Sequence, residues 1–133
     1  MITKLKDNQI FVFGSNLAGR HGKGAALTAQ RKFGARNGIG TGPTGKCYAI
    51  ATKDRSLNVR KLVDIQIGVN RFINYTRRHP ELEFLVTAIG CGLAKYKAKD
   101  IAPFFKDVPS NVVLPKEFLD ILNKEKNENI SNG

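Results

Sequence analysis

Apolar residues along this chain occur in short continuous runs separated by longer stretches with helical periodicity. The runs at 10–13, 46–51 and 84–89 consist mostly of β-branched, aromatic and small apolar residues. A short continuous apolar run is typical of a strand that is buried on both faces of a sheet. We therefore predict three core strands in these runs and a shorter strand over 111–114. Residues 1–5 form a weaker strand candidate.

Helical patterns lie between these runs. Residues 24–33 are rich in alanine and other helix formers. In 59–78, apolar side chains recur at spacings of three and four, which predicts an amphipathic helix that Pro80 prevents from continuing. We also predict a short helix over 98–105 and a terminal helix over 115–123, with proline at its first position.

This alternation predicts the fold class. Strands that alternate with helices imply βαβ units and a mainly parallel sheet covered on both faces, an α/β protein. The segment 34–45 holds five glycines and is predicted to be an extended irregular connection. We expect residues 1–123 to form one domain, and the polar residues 124–133 to form a disordered tail.

Three polar or glycine-bearing loops, 14–24, 52–55 and 90–96, follow predicted strands at one edge of this sheet. In open parallel sheets, ligands bind beyond the carboxyl ends of the strands. The first loop runs directly into a helix, so its N–H groups and the helix dipole can face an anion. Alternatively, it is glycine-rich only because it turns tightly. We predict that the three loops meet in one cleft.

Composition narrows the function classes. The net charge of +11 indicates an anionic partner, although the charges are spread along the 133 residues rather than concentrated in one block. No apolar stretch is long enough to span a membrane. Two cysteines and no visible signal peptide predict a cytoplasmic protein. Two histidines and two scattered cysteines predict no metal site, and no glycine pattern matches a dinucleotide fingerprint or P-loop, so no cofactor is predicted.

Single side chains in the loops have both functional and structural interpretations. His21 can contact a ligand or have only a structural role in the loop. Cys91 can be a nucleophile, but no histidine or acid is adjacent in sequence, which favours a small residue chosen for tight packing. Asp54 is the best acid for activating a water, and it is equally placed to begin the next helix.

The first loop also resembles the start of a macro domain, in which an apolar strand ends in asparagine and runs into a glycine-rich loop. Here residues 11–16 read Phe-Val-Phe-Gly-Ser-Asn. Residues 42–50 look like that family's next strand, and 86–93 look like its phosphate loop. The resemblance covers about residues 9–106 and is nearest to small macro-like proteins of bacteria and phages. It implies a three-layer α/β/α fold that binds ADP-ribose or a related nucleotide.

The resemblance also implies roles for individual residues. Asn16 would place its amide against the distal ribose, residues 22–24 and 90–93 would enclose the diphosphate, and Tyr96 would stack on a ribose or base. Macro domains usually read adenine with the aspartate of a Gly-Asp-Ile segment; residues 6–9 depart from it, so the base is not specified. The candidate catalytic residues are Asn16 and Asp54. The implied ligand-binding residues are Gly14, Ser15, Asn16, Leu17, His21, Gly22, Lys23, Gly24, Thr52, Gly90, Cys91, Gly92, Leu93 and Tyr96.

Two functions from different classes remain open. The first is a macro-like domain that either hydrolyses an ADP-ribose derivative at its distal ribose or binds and sequesters the nucleotide. The alternative is a basic nucleic-acid-binding domain without catalytic activity. Lysine and arginine clustered around one cleft would favour the first, and a broad basic face away from the glycine loops would favour the second.

Overall fold

Strands and helices alternate along the chain in the computed structural model, which describes the backbone of residues 2–132 and the side chains of residues 2–127. A 3₁₀ helix, Ala102–Phe105, follows the third helix directly. The strands are β1 (Gln9–Asn16), β2 (Gly42–Thr44), β3 (Cys47–Lys53), β4 (Glu83–Val86) and β5 (Val112–Val113), and the helices are α1 (Gly24–Phe33), α2 (Leu62–Arg77), α3 (Ala98–Ile101) and α4 (Lys116–Asn132).

The five strands form one mixed sheet in the order β2-β3-β1-β4-β5. Strand β1 pairs in parallel with β3 and β4, and β4 pairs in parallel with β5. Only β2 is antiparallel, and it pairs with β3 at the sheet edge. The predicted α/β class and mainly parallel sheet are therefore confirmed.

Alternation of side chains along β1 divides the core between the two faces of the sheet. Phe11 and Phe13 pack with Ala29 and Phe33 of α1 on one face. Val12 points to the other face, where it belongs to a larger cluster with residues of α2, α3, the 3₁₀ helix and α4. The continuous apolar run in β1 thus serves two cores at once, as expected for a parallel strand covered by helices on both sides.

The strand order places a crevice at the carboxyl end of β1. After β1 the chain continues toward β3 in one direction along the strand order, whereas after β4 it continues to β5 in the opposite direction. Where neighbouring parallel strands connect onward in opposite directions, the loops that follow them diverge and leave a crevice at the carboxyl edge of the sheet. In α/β proteins, ligands bind in such a crevice. The loops that follow β1 and β4 therefore border an opening in the sheet edge.

Several element boundaries differ from the predictions. Strand β1 runs to Asn16 and β3 to Lys53, so the first residues of two predicted loops belong to strands. Two other boundaries differ because the chain makes local hydrogen bonds there. Helix α2 begins at Leu62 rather than near 59, since Val59 bridges to Lys53 and the Arg60 N–H donates to the Thr52 carbonyl. Strand β4 ends at Val86 rather than 89, since the chain turns where the Ile89 N–H donates to the Thr87 carbonyl over 2.7 Å.

Three further predictions differ at the ends of the chain and in its long connection. Residues 2–5 form no strand, and Met1 lies outside the described residues. The connection 34–45, predicted to be irregular, contains β2. Helix α4 continues to Asn132, past the predicted end at 123, because residues 116–132 contain no proline or glycine and several lysines and glutamates. Gly133 lies outside the described residues.

Candidate functional site

A pocket of about 830 Å³ opens at the carboxyl edge of the sheet. We call it the edge pocket. A volume in the hundreds of cubic ångströms is typical of small-molecule and cofactor sites. It is lined by Gly14, Ser15, Asn16, Arg20, Gly22, Lys23, Gly24, Ala25, Ala26, Thr52, Lys53, Leu57, Thr87, Ala88, Ile89, Gly90, Cys91, Gly92, Leu93, Ala94 and Glu117.

The edge pocket is built by the loops that follow β1, β3 and β4. The β1 loop (17–23), the β3 loop (54–61) and the β4 loop (87–97) each contribute lining residues, as do the carboxyl ends of β1 and β3. The predicted meeting of the three loops in one cleft is confirmed. It follows from the parallel pairing of β1 with β3 and β4, which brings their carboxyl ends to the same edge.

The amino terminus of α1 opens into the edge pocket without a cap of its own. Its N-cap residue is Lys23, whose side chain makes no capping hydrogen bond, and the first turn has no acidic residue. The next residues, Gly24, Ala25 and Ala26, line the pocket, and the first N–H groups of a helix have no intrahelical acceptor. A lysine at this position opposes the helix dipole unless an anion lies beside it. The local arrangement suits a negatively charged ligand.

Charged side chains around the edge pocket are mostly positive. Arg20, Lys23 and Lys53 line it, against the single acidic lining residue Glu117. The two ion pairs among the side chains of residues 2–127 lie elsewhere, at His79 with Glu81 and at Lys116 with Asp120. The three cations are therefore not neutralised by a described carboxylate within ion-pair distance.

Asn16 is held in place at the mouth of the β1 loop. Its Nδ2 donates to the Arg20 carbonyl over 2.8 Å, and its Oδ1 accepts from the Arg20 N–H over 3.1 Å. The pairing of β1 with β3 shifts register between Ser15 and Asn16, a bulge that changes the direction of the side chain. With two hydrogens on Nδ2 and only one of them used, Asn16 keeps a donor for a ligand hydroxyl.

A second segment, residues 36–40, lies against the β1 loop, and we call it the strap. The Gly38 N–H donates to the Gly19 carbonyl over 2.9 Å, and the Ser15 hydroxyl donates to the Gly40 carbonyl. A side chain at Gly40 would overlap the Asn16 carbonyl oxygen. Sequence reasoning missed this contact, although the concentration of glycines in 34–45 was its signal.

Glycines of the two opposite loops leave open space in the edge pocket. A Cβ added at Gly22 or Gly92 would meet no atom within 4 Å, and neither residue has a positive φ. Gly90 differs, since its φ is +80° and a Cβ there would crowd Ile101 at 3.2 Å. Gly22 and Gly92 thus leave room for a ligand, whereas glycine is needed at position 90 for the backbone conformation and the contact with Ile101.

Cys91 lines the edge pocket as a protonated thiol. Partial burial raises its pKa above the ordinary value, and the nearby carboxylates Glu117 and Asp100 raise it further. Its Sγ donates weakly to the Ile89 carbonyl over 3.6 Å. A raised pKa disfavours the thiolate that a nucleophile needs, which supports the packing interpretation over the nucleophilic one.

Two of the predicted site residues, His21 and Leu17, are in the β1 loop but do not line the edge pocket. His21 is 2% exposed, packs edge-on against Phe13, and donates from Nε2 to the Arg36 carbonyl over 3.0 Å. Its Nδ1 is buried without a partner. Leu17 is half-buried and is not among the lining residues. Both residues are placed in the β1 loop but not at the surface that a ligand would touch.

The other two residues that do not line the edge pocket, Asp54 and Tyr96, hold loop backbone. The Asp54 Oδ1 accepts from the Ser56 N–H over 2.9 Å and the Asn58 N–H over 3.0 Å. The Tyr96 hydroxyl donates to the Arg60 carbonyl, which joins the β4 loop to the β3 loop. Both side chains therefore hold the backbone of loops that line the pocket.

Several lining residues were not predicted from the sequence. Arg20 lay within the predicted loop, and its charge was a sufficient signal. Lys53 is the last residue of β3 and follows the predicted site residue Thr52, but it was not itself predicted. Leu57 and Glu117 had no local signal, because one lies in a turn and the other comes from α4, distant in sequence.

The described residues contain neither a metal-binding group nor a membrane-spanning helix. No group of three or more histidine, cysteine or acidic residues is arranged to hold a metal ion there. None of the described helices combines the length and apolarity needed to cross a membrane. Comparisons of the chain with family models, with curated proteins and with solved structures gave no match.

Proposed function

We propose that this protein binds ADP-ribose or a related diphosphate nucleotide in the edge pocket, as a macro-like domain of the three-layer α/β/α type. The diphosphate lies between the α1 amino terminus and the β4 loop. The two sides contribute backbone N–H groups and the glycines at positions 22, 24 and 92, where no side chain blocks the approach of the anion.

One observation supports this proposal above the others. Helix α1 begins inside the pocket with a lysine as its N-cap and no capping side chain. Loss of a cap costs a helix about 1 kcal/mol, and a cation at this end costs some tenths more. A bound phosphate removes both penalties, because it accepts the free N–H groups and pairs with the lysine.

Binding is better supported than turnover. A hydrolase at the distal ribose needs an acid to activate water. The Asp54 carboxylate instead accepts two backbone N–H groups and is not among the lining residues. We therefore propose a protein that sequesters or reads the nucleotide, with Asn16 directed at the ribose.

Calorimetric titration tests the proposal. ADP-ribose, ADP, cyclic ADP-ribose and a short DNA duplex are titrated separately into the full chain at one salt concentration. We expect ADP-ribose to bind at one site per chain and the duplex to bind more weakly. Tight duplex binding with no response to ADP-ribose would instead support the basic nucleic-acid-binding alternative.

The Gly92→Glu variant links binding to the edge pocket. The glutamate enters open space and places a negative charge beside the phosphates, so we expect affinity for ADP-ribose to fall by roughly a hundred-fold. Asn70→Glu, at an exposed position of α2, adds the same charge elsewhere and should leave affinity within about two-fold. Equal affinities for the two folded variants would exclude this pocket as the site.

A further inference from the structure

Two leucines are exposed at the edge pocket from opposite sides of β1. Leu57 is 46% exposed and Leu93 is 55% exposed, and both line the pocket. Leu57 belongs to the loop after β3, and Leu93 belongs to the loop after β4, the strands that flank β1 in the sheet. Seven large apolar side chains are exposed among the described residues, and only these two line the edge pocket, where a bound ligand would cover them.

The backbone at Leu57 is held in an unfavourable conformation. Its φ is +66°, in the left-handed region that leucine rarely adopts. Such a conformation persists only where the surroundings impose it, and it concentrates at functional sites. Here Asp54 imposes it, because its carboxylate accepts from the N–H groups of Ser56 and Asn58 on either side of Leu57.

The two leucine-bearing loops are tied to each other. The Tyr96 hydroxyl donates to the Arg60 carbonyl, so the β4 loop is fixed to the end of the β3 loop. Arg60 is anchored in turn to the sheet, since its N–H donates to the Thr52 carbonyl and its Nη1 donates to the Ala51 carbonyl. The loops that carry the two leucines are therefore joined by hydrogen bonds outside the pocket.

We propose that Leu57 and Leu93 form an apolar clamp for the nucleobase of the bound nucleotide, and that Asp54 is a positioning residue for Leu57. This inference rests on the proposed function. The cations and N–H groups of the pocket take the phosphates, and the clamp takes the one part of the ligand with flat apolar faces. A base held this way is recognised by shape rather than by a hydrogen-bonding side chain.

Two probes separate the clamp from the phosphate site: ADP, which has a base, and inorganic pyrophosphate, which has none. Leu57→Asn keeps a side chain branched at Cγ and tolerates positive φ, but it removes the apolar surface. We expect this variant to bind ADP roughly ten-fold more weakly and pyrophosphate within about two-fold of the parent chain. Leu93→Asn should behave in the same way.

Asp54 variants test the positioning role. Asp54→Asn keeps an oxygen that accepts both N–H groups and should retain affinity for ADP, whereas Asp54→Ala should lose as much as Leu57→Asn. Pyrophosphate binding should stay unchanged in both, which a general loss of folding would not allow. If Asp54 were instead a general base for hydrolysis, both variants would lose hydrolytic activity to the same extent.

The outcomes distinguish the two proposals. If the parent chain binds ADP and Leu57→Asn binds it equally well, the clamp is overturned and the proposed function stands. Equal weakening of ADP and pyrophosphate also overturns the clamp. If the parent chain binds none of ADP-ribose, ADP or pyrophosphate, both proposals fail.

Discussion

Single glycines decide whether the β1 loop and the strap can lie together. Gly40 packs on the Asn16 carbonyl so closely that no side chain fits, and this contact is with backbone rather than with a side chain that can rotate away. Gly38 is in the same segment with φ of +91°, but a Cβ there would meet nothing within 4 Å. The two positions separate the effect of a clash from that of backbone strain.

We expect Gly40→Ala to lower the free energy of unfolding by about 3 kcal/mol or more, because the methyl group forces the strap away from the loop. Gly38→Ala should lower it by only about 1–2 kcal/mol, the cost of a left-handed alanine. Urea titrations of both variants measure the difference. Equal losses in the two would show that the contact at Asn16 is not tight.

Cys91 reports occupancy of the edge pocket without any substitution. Because its pKa is raised, the reactive thiolate is scarce at neutral pH, and alkylation by iodoacetamide should accelerate as the pH rises. Saturating ADP-ribose should slow this alkylation several-fold by covering the thiol. Cys47 is the internal control: it is 1% exposed, burial raises its pKa to about 12, and it should stay unmodified in the folded chain.

Peptide mapping by mass spectrometry assigns the modified cysteine. Alkylation of Cys91 at the same rate with and without saturating ligand would place the ligand elsewhere.

The sequence predicted positions at this scale only where chemistry and spacing were local. Gly92 and Lys23 were predicted in the cleft and line it. Asp54 was predicted from its charge and its place after a strand. The alternative, that it begins the next helix, is wrong, because α2 begins at Leu62 and the Asp54 carboxylate accepts backbone N–H groups of its own turn. The sequence shows the type of each residue but not the direction of its side chain, and the direction decides which residues line the pocket.

Among the elements, the end of α2 depends on a residue far away in sequence. The Nδ2 of Asn111 lies within 3.1 Å of the carbonyl oxygens of Thr76 and His79, and 3.0 Å from that of Leu82. An amide nitrogen has two hydrogens, so the three acceptors share them. Asn111 thus fixes the turn that connects α2 to β4.

Asn111→Ala should cost about 1–2 kcal/mol of unfolding free energy, since the Leu82 carbonyl loses its side-chain donor, whereas the Thr76 and His79 carbonyls keep backbone N–H donors. Asn111→Asp should cost at least as much, because it sets oxygen against oxygen. Ser110→Ala, at the exposed neighbouring position, should change stability by less than about 0.5 kcal/mol. Thermal or denaturant unfolding compares the three, and a neutral Asn111→Ala would contradict the anchor.

Element types were predicted well, and their ends less well, for one physical reason. Helix α1 matched its predicted bounds because composition alone specifies it, from the glycine-rich loop to the glycine that follows. Helix α2 lost its first predicted turn to hydrogen bonds with β3, which no local pattern reveals. Strand β2, at the sheet edge, consists of Gly, Pro and Thr and is defined by its partner alone.

For the whole molecule, topology explains why a site predicted from three separate loops appears as one pocket. Parallel pairing fixes which strand ends lie together, so an α/β prediction already places loops 14–24, 52–55 and 90–96 at one edge. The sequence did not place Glu117, because the docking of α4 beside this edge depends on tertiary packing. Net charge indicated an anion, and the pocket supplies the geometry to receive one.

The two faces of the sheet are unequally filled. Among the described residues, the cluster on the α2 side holds sixteen buried residues with many large side chains, and the cluster on the α1 side holds eight, four of them alanine. Alanine contributes little apolar area, so α1 is held by less free energy than α2. In native-state hydrogen exchange, amides of α1 should therefore open first.

Since the ligand would bind at the amino terminus of α1, ADP-ribose should slow exchange in α1 far more than in α2. Uniform slowing across both helices would mean that they open only together, as one cooperative unit. Nucleotide binding would thus stabilise the half of the protein that has the smaller core.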